Sequence, residues 1–409
     1  MLLGKPSQLL FLLLLVFIFE IASHSNAYPL STHKRWIIDE ATGQRAKLVC
    51  GNWAGHLKPM IPEGLDRRPL KDIVSELVEH KFSCVRLTYA IYMWTRYGNG
   101  NVNATFDSLD APEVVEGIAK NNPSVLSMTH VEVFDAVVHE LGAQNVKVLL
   151  DNHVSYPKWH FNPQEWVHGL TLAAEHFSGN HAVVAMSLRN ELHGPRQNLR
   201  DWYRYMNQGA LAIHKANPNV LVVISGLNYD TELQFLKSKP LKIGLGKKMV
   251  FETHLYSWSG IGTLKLKQIW TKQPLNRICA NSIKGIDHRA GFLTAGKNAS
   301  PLIFTEFGFD ETGSSVEDNR FLTCLQTYLV GRDLDWGLGA FQVGEPFGVM
   351  DQTWHHLSNP NFTDKFQLLQ RKNQEPSSKV PSLYILYHPL SGQCAQVNGK
   401  NELEVGSCT

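Results

Sequence analysis

Eight short apolar runs between residues 46 and 343 constrain the fold more than any other feature of this chain. They are AKLVCGNW (46–53), FSCVRLTY (82–89), VKVLLDNH (146–153) and AVVAMSLRNE (182–191), then NVLVVISG (219–226), KMVFETHLY (248–256), PLIFTEFG (301–308) and WGLGAFQV (336–343). Each is about one strand long, and its near-continuous hydrophobicity is that of a strand buried on both faces. Between them lie stretches with helical amphipathic spacing, among them Leu70 to His80, Thr129 to Leu141, Leu199 to Lys215 and Asp318 to Leu329. Strands and helices alternating in this order predict an α/β fold, a (β/α)8 TIM barrel. An open doubly wound sheet is the alternative, but no Gly-rich phosphate loop follows the first run.

A barrel of this kind places its chemistry at the C-terminal strand ends. The runs end accordingly. VVAMS stops abruptly in Arg189, Asn190 and Glu191, and a charged tip is costly unless solvated, paired or functional. The second run carries Arg86, the third ends in Asp151-Asn152-His153, the sixth in His254-Leu-Tyr256 and the seventh in Glu306. These polar residues at the ends of apolar runs are expected to converge on one opening.

The rest of the chain sets the context. Lys5 precedes an apolar stretch from Leu9 to Phe19 and the small-x-small sequence Ser25-Asn26-Ala27, which reads as a signal peptide over residues 1–27. The stretch is shorter than the roughly 20 residues that span a bilayer, so the protein is expected to be secreted to the extracellular space, the cell wall, with no membrane partner. In that compartment the six cysteines point to disulfides. Cys50 and Cys84 read equally as buried thiols or a bridge, and Cys279 with Cys324 is a plausible bridge. Asn103, Asn298 and Asn361 open glycosylation sequons. A net charge of +2 gives no reason to expect nucleic acid. No C-x-x-C or H-E-x-x-H occurs, so no metal and no cofactor is expected.

Two carboxylates from nearly opposite strands suit the cleavage of a glycosidic bond, in which one acid protonates the leaving oxygen and the other attacks the anomeric carbon or activates water. Arg86 would keep Glu306 ionised, leaving Glu191 as the acid. The ordered set Arg86, His153, Asn190-Glu191, His254-x-Tyr256 and Glu306 resembles glycoside hydrolase family five, the cellulase family, over about residues 36 to 345. The resemblance implies that Glu191 is the catalytic acid/base and Glu306 the nucleophile of a retaining double displacement. It further implies that Asn190 bonds the sugar 2-hydroxyl, that His254 lines the −1 subsite, and that Tyr256 and Arg86 orient Glu306. His153 belongs to the same substrate-binding set. Trp53, Trp159 and Trp258 stand at or just beyond strand ends and are expected to stack on sugar rings.

Two departures from that family stand out. Its eighth strand normally offers a Trp floor to the −1 sugar, whereas Gly339 occupies the matching place here and Trp336 falls below the rim. A glycine floor would hold the sugar loosely, and Gly339→Trp would then raise turnover. The second departure is the tail. QEPSSKVPS (374–382) reads as a linker between a barrel over 28–373 and residues 383–409, which resemble the opening of a ricin-type β-trefoil lectin, with Cys394 and Cys408 placed like its local disulfide. The fold expected is therefore a barrel with a truncated C-terminal β-trefoil fragment. The function expected is a secreted, monomeric retaining glycosidase acting on a β-glycan or β-glucoside. Gly339 and the short tail favour the alternative, a catalytically weak or inactive carbohydrate-binding protein.

Overall fold

A computed structural model describes residues 29–153, 161–259, 267–344, 347–359, 362–376, 387–388 and 393–407. An antiparallel hairpin, β1 (Leu30–His33) and β2 (Trp36–Asp39), comes first. The eight apolar runs then supply β3 (Val49–Trp53), β4 (Cys84–Tyr89), β5 (Lys147–Asn152), β6 (Val183–Ser187), β7 (Leu221–Ile224), β8 (Met249–Tyr256), β9 (Leu302–Gly308) and β10 (Asp335–Leu338). These strands pair in parallel in chain order, and β10 returns to β3 to close the barrel. The expected (β/α)8 barrel is the fold.

Helices packed outside the strands include α1 (Leu70–Glu79), α2 (His130–Ala143), α3 (Pro163–His176), α4 (Leu199–Ala216), α5 (Leu275–Arg289), α6 (Val316–Arg332) and α7 (Phe362–Gln370). Their starts are chemically marked. Thr129 and Glu132 form a reciprocal capping box on α2, and Asn162, Asn198 and Ser315 cap α3, α4 and α6. The β7–β8 connection departs from the repeat: it holds only a 3₁₀ turn, Gln234–Lys237. Among the described residues no helix is long and apolar enough to cross a membrane.

Strand alternation divides the core in two. Residues such as Val222, Phe304 and Trp336 face outward to the helices, while Leu149, Val184, Val223, Val250 and Ile303 fill the lower interior. Leu30 and Ile37 of the hairpin join that interior cluster and close the N-terminal end. Beside them Arg45 pairs with Asp333 at 3.2 Å and Asp335 at 3.4 Å, and Lys47 pairs with Asp333 at 2.7 Å. All four of these side chains are buried, so each charge is compensated rather than left dry.

Cys50 and Cys84 are bonded, as directly opposed residues of β3 and β4 inside the lower barrel. Cys279 and Cys324 join α5 to α6. Past α7 the chain crosses the closed end: Lys47 donates to the Arg371 carbonyl, and the backbone N–H groups of Asn373 and Gln374 donate to Asp333. Gln374 and Glu375, assigned to a linker from their sequence, are thus hydrogen-bonded to the barrel. The tail forms a three-stranded antiparallel sheet, β11 (Tyr387–His388), β12 (Gln393–Val397) and β13 (Leu403–Ser407). Cys394 is disulfide-bonded and packs on Leu368, while Cys408 lies outside the described residues.

Candidate active site

Arg86 organises the C-terminal end of the barrel. It points inward from β4 and is fully buried, so its guanidinium must be surrounded by acceptors. Nη1 donates to Asn52 Oδ1 at 2.8 Å and to Glu306 Oε1 at 2.6 Å. Nη2 donates to Asn190 Oδ1 at 2.9 Å and pairs with Asp151 Oδ1 at 3.0 Å. Burial alone would depress its pKa, but Asp151, Glu306 and Glu252 outweigh that and raise it. Arg86 is a permanent charge.

Glu306 receives a second donor, the Tyr256 hydroxyl, at 2.9 Å on Oε2. Burial pushes its carboxyl upward, yet His254 and Arg86 prevail and hold it well below the usual carboxylate range. Tyr256 is shifted the other way, by burial and then by Glu306 and Glu191, so its phenol stays protonated and donates.

His254 lies between the two acids. Its Nδ1 is 3.0 Å from Glu191 Oε1 and 3.6 Å from Glu306 Oε2. Its Nε2 is 3.0 Å from Thr305 Oγ1, whose one proton goes to Glu252 at 2.7 Å. Thr305 must therefore accept from Nε2–H. The Nδ1 contact with Glu191 then requires a proton as well. Burial opposes the imidazolium, but Glu306, Glu191 and Asp230 raise its pKa to about 10. One oxygen or nitrogen from each of Glu191, His254 and Glu306 lies within 4.8 Å of the others, close enough to hold a cation. A doubly protonated ring has no free lone pair, so this arrangement suits a shared proton better than a metal.

On the opposite side, Asn190 Nδ2 donates to His153 Nε2 at 3.2 Å, and His153 Nδ1 lies 2.8 Å from Asp151 Oδ2. That chain fixes His153 with its proton on Nδ1. Glu191 has a left-handed backbone, φ 47°, and its N–H is held by Asp230 Oδ2 at 2.8 Å. Asp230 closes a run of three left-handed residues, Asn228 to Asp230, in the β7–β8 connection. An αL conformation at these positions costs strain that this buried hydrogen bonding sustains.

Seven of the residues singled out from sequence thus meet in one cleft: Arg86, His153, Asn190, Glu191, His254, Tyr256 and Glu306. Trp258 joins them at the edge, stacked on Tyr256 at 4.8 Å and half-buried. Trp53 does not. It is fully buried, its indole N–H donates to the Glu63 carbonyl and its ring packs edge-on against Phe341, so it has no face for a sugar. Trp159 lies outside the described residues. Trp336 is sealed beneath α7 with its N–H on the Leu369 carbonyl. Gly339 does border the site, but a Cβ there would lie 2.9 Å from the Tyr256 hydroxyl, so the floor is not an open space awaiting a Trp.

Sequence reasoning missed Asn52, Asp230, Glu252, Thr305 and His56. The first four are buried polar groups inside apolar strands or a buried loop, visible only as single interruptions such as FETH and IFTE. His56 stacks on His153 with ring centroids 4.0 Å apart, and burial and that neighbour push its pKa down to about 3.

A (β/α)8 barrel with facing carboxylates at its C-terminal end, one of them held ionised by arginine and tyrosine, defines a barrel glycosidase. The cellulase profile, glycosyl hydrolase family 5, matches residues 49–336. The chain belongs to that family and is a glycoside hydrolase. It is 40% identical to a glycosyl hydrolase 5 family protein of Chamaecyparis obtusa, over 99% of this chain and 77% of that one. An endoglucanase of Paenibacillus polymyxa is 21% identical over 79% of this chain and 83% of its own. Among solved structures, a hyperthermophilic endocellulase from the archaeon Pyrococcus horikoshii superposes with TM-score 0.69 at 15% identity, covering 84% of this chain and 99% of the other. A complex of endocellulase from that organism with cellotetraose has TM-score 0.68 at 15% identity, covering 84% and 99%. At these identities the structures support the fold alone.

Proposed function

We propose that the chain is a secreted, monomeric, retaining β-glycosidase that cleaves a β-linked glucan, with Glu306 as nucleophile and Glu191 as acid/base. The observation that carries this reading is the approach of the two carboxyl groups, with an oxygen of each within 4.8 Å. Retaining enzymes keep their carboxyls about 5 Å apart, whereas inverting enzymes leave roughly 6.5–9.5 Å for a water. In the first step a Glu306 oxygen bonds the anomeric carbon while Glu191 passes its proton to the departing glycosidic oxygen. In the second, water gives a proton to Glu191 and attacks the same carbon, and Glu306 leaves as carboxylate. Arg86 and Tyr256 favour the ionised nucleophile, and His254 shares the proton that Glu191 transfers. Asn190, held by Arg86 and His153, presents its amide beside the acid, and Trp258 offers a ring at the rim.

The glucan assignment draws on the endoglucanase relatives and on the cellotetraose complex. Secretion rests on residues 1–27 and on two disulfides, which persist in oxidising compartments. Residues 383–409 are proposed as the first repeat of a ricin-type trefoil, consistent with a lone three-stranded antiparallel sheet. The test is hydrolysis of cellotetraose and a panel of β-glucans followed by proton NMR. The newly formed end should appear first as the β anomer. An initial α product, or no cleavage of any β-glycan, ends the proposal.

A further inference from the structure

A second cavity opens outside the barrel wall, between α3 and α4, beneath the loop that follows Glu191. Its volume is about 530 Å³, within the range of about 300–1,000 Å³ typical of small-molecule sites. Phe161, Trp166, Leu192, Trp202, Tyr205 and Met206 give it aromatic and aliphatic walls. The two indole N–H groups are already committed, to the carbonyls of Leu188 and Ser225, so both tryptophans present only apolar surface.

Arg189 is the exception within that lining. Its guanidinium lies 4.5 Å over the Phe161 ring, and among the described residues no carboxylate is paired with it. Burial, with no compensating acid, pulls its pKa down to about 10, so it remains charged at neutral pH. Arg196 adds a second cation at the rim. The one acid in the lining, Asp201, is occupied by the Asn198 amide at 2.8 Å. An arginine in this setting differs from Arg86, which is ringed by acceptors. A half-buried guanidinium without an anion is costly, and a bound anion would offset that cost.

We infer that this cavity is a binding site for a small aromatic carboxylate, whose ring would lie among Phe161, Trp166 and Tyr205 and whose carboxylate would pair with Arg189. An arginine fork matches a carboxylate with two parallel hydrogen bonds, and Phe161 holds the Arg189 guanidinium 4.5 Å from its ring centroid. A free inorganic anion would use the arginine but leave the aromatic walls wet. An uncharged aromatic would do the reverse.

Titration calorimetry on the full chain separates these cases, with trans-cinnamate as the probe, cinnamyl alcohol as the uncharged analogue and inorganic phosphate as the bare anion. Cinnamate should bind one equivalent, at least about tenfold tighter than either comparison compound, and more weakly as salt rises. Arg189→Met should weaken cinnamate about tenfold or more and leave the alcohol unchanged, while Arg189→Lys should recover part of the loss. The wild-type salt series stands by itself should Arg189→Met not fold. Equal affinity for acid and alcohol, salt-independent binding, or no binding overturns the proposal. Displacement of cinnamate by cellotetraose also overturns it, since that would put the acid in the carboxylate cleft.

Discussion

Gly339 and Tyr256 are in such close register that a methyl group on the glycine would lie 2.9 Å from the tyrosine hydroxyl. That hydroxyl is the donor to Glu306 Oε2. Any side chain at 339 therefore competes with the tyrosine for space beside Glu306, the proposed nucleophile. Gly339→Trp, a gain of turnover when judged from sequence, is now expected to lower kcat on aryl β-glucosides by about tenfold or more. Tyr256→Phe alone should lower it by a comparable factor. The double variant should be far less than additive, because both changes remove one hydrogen bond. Independent, multiplying losses in the double variant would refute the shared cause.

The two glutamates should respond differently to truncation. Glu306→Gln leaves Arg86 with Asp151 as a direct charge partner, so the fold should persist while hydrolysis falls by about a thousandfold or more. Glu191→Ala should lose much less on aryl glycosides with acidic leaving groups than on cellotetraose, since only the latter needs a proton. Steady-state kinetics on both substrates checks this. Equal losses on the two would remove Glu191 from the acid role.

The barrel was legible because its strands are buried on both faces and read as unbroken apolar runs, and the cleft was legible because its residues interrupt those runs at their tips. Arg86 and Glu306 declared themselves in that way. Glu252 and Thr305 sit just below the tips and look like ordinary strand residues until β8 and β9 are placed side by side. Asp230 was hidden for another reason: it comes from a connection without a regular helix and reaches Glu191 through three left-handed residues. Trp53 misled because a strand-end position does not reveal which way a side chain points. Its neighbour Asn52 faces the interior, so Trp53 faces the helices. The hairpin β1–β2 carried too few apolar residues to announce that it closes the barrel.

The cleft should also set the pH range of stability. Glu306 has a depressed pKa in the fold, so its contribution is complete above its unfolded value near 4.5 and is lost as pH falls below that. His254 is raised from 6.5 to about 10, so its contribution is complete below 6.5 and is lost as pH climbs toward 10. Urea unfolding between pH 7 and 10 should show stability declining, with a slope approaching one proton, about 1.4 kcal/mol per pH unit. His254→Asn should flatten that slope whatever its effect at neutral pH. An unchanged slope in the variant would locate the alkaline loss elsewhere.

Truncation should separate the tail from the strap that precedes it. Beyond residue 376 Cys394 packs on Leu368 and Val330, a small apolar area, and Val397 and Val405 of the tail sheet remain exposed at 63% and 62%. The single trefoil repeat proposed for this segment cannot bury its own apolar face. Removing residues 377–409 should therefore lower Tm by no more than about 2 °C. Removing residues 371–409 takes away the backbone donors to Asp333 and the Arg371 carbonyl that holds Lys47. Asp333 would keep Arg45 and Lys47, but its carboxylate would lose two hydrogen bonds at a buried, charged barrel end. Each such loss costs about 1–3 kcal/mol, and the longer truncation should lower Tm by roughly 5 °C or more. Differential scanning calorimetry of the two truncated chains against the full chain decides the matter: equal Tm values would show that residues 371–376 follow the barrel without holding it.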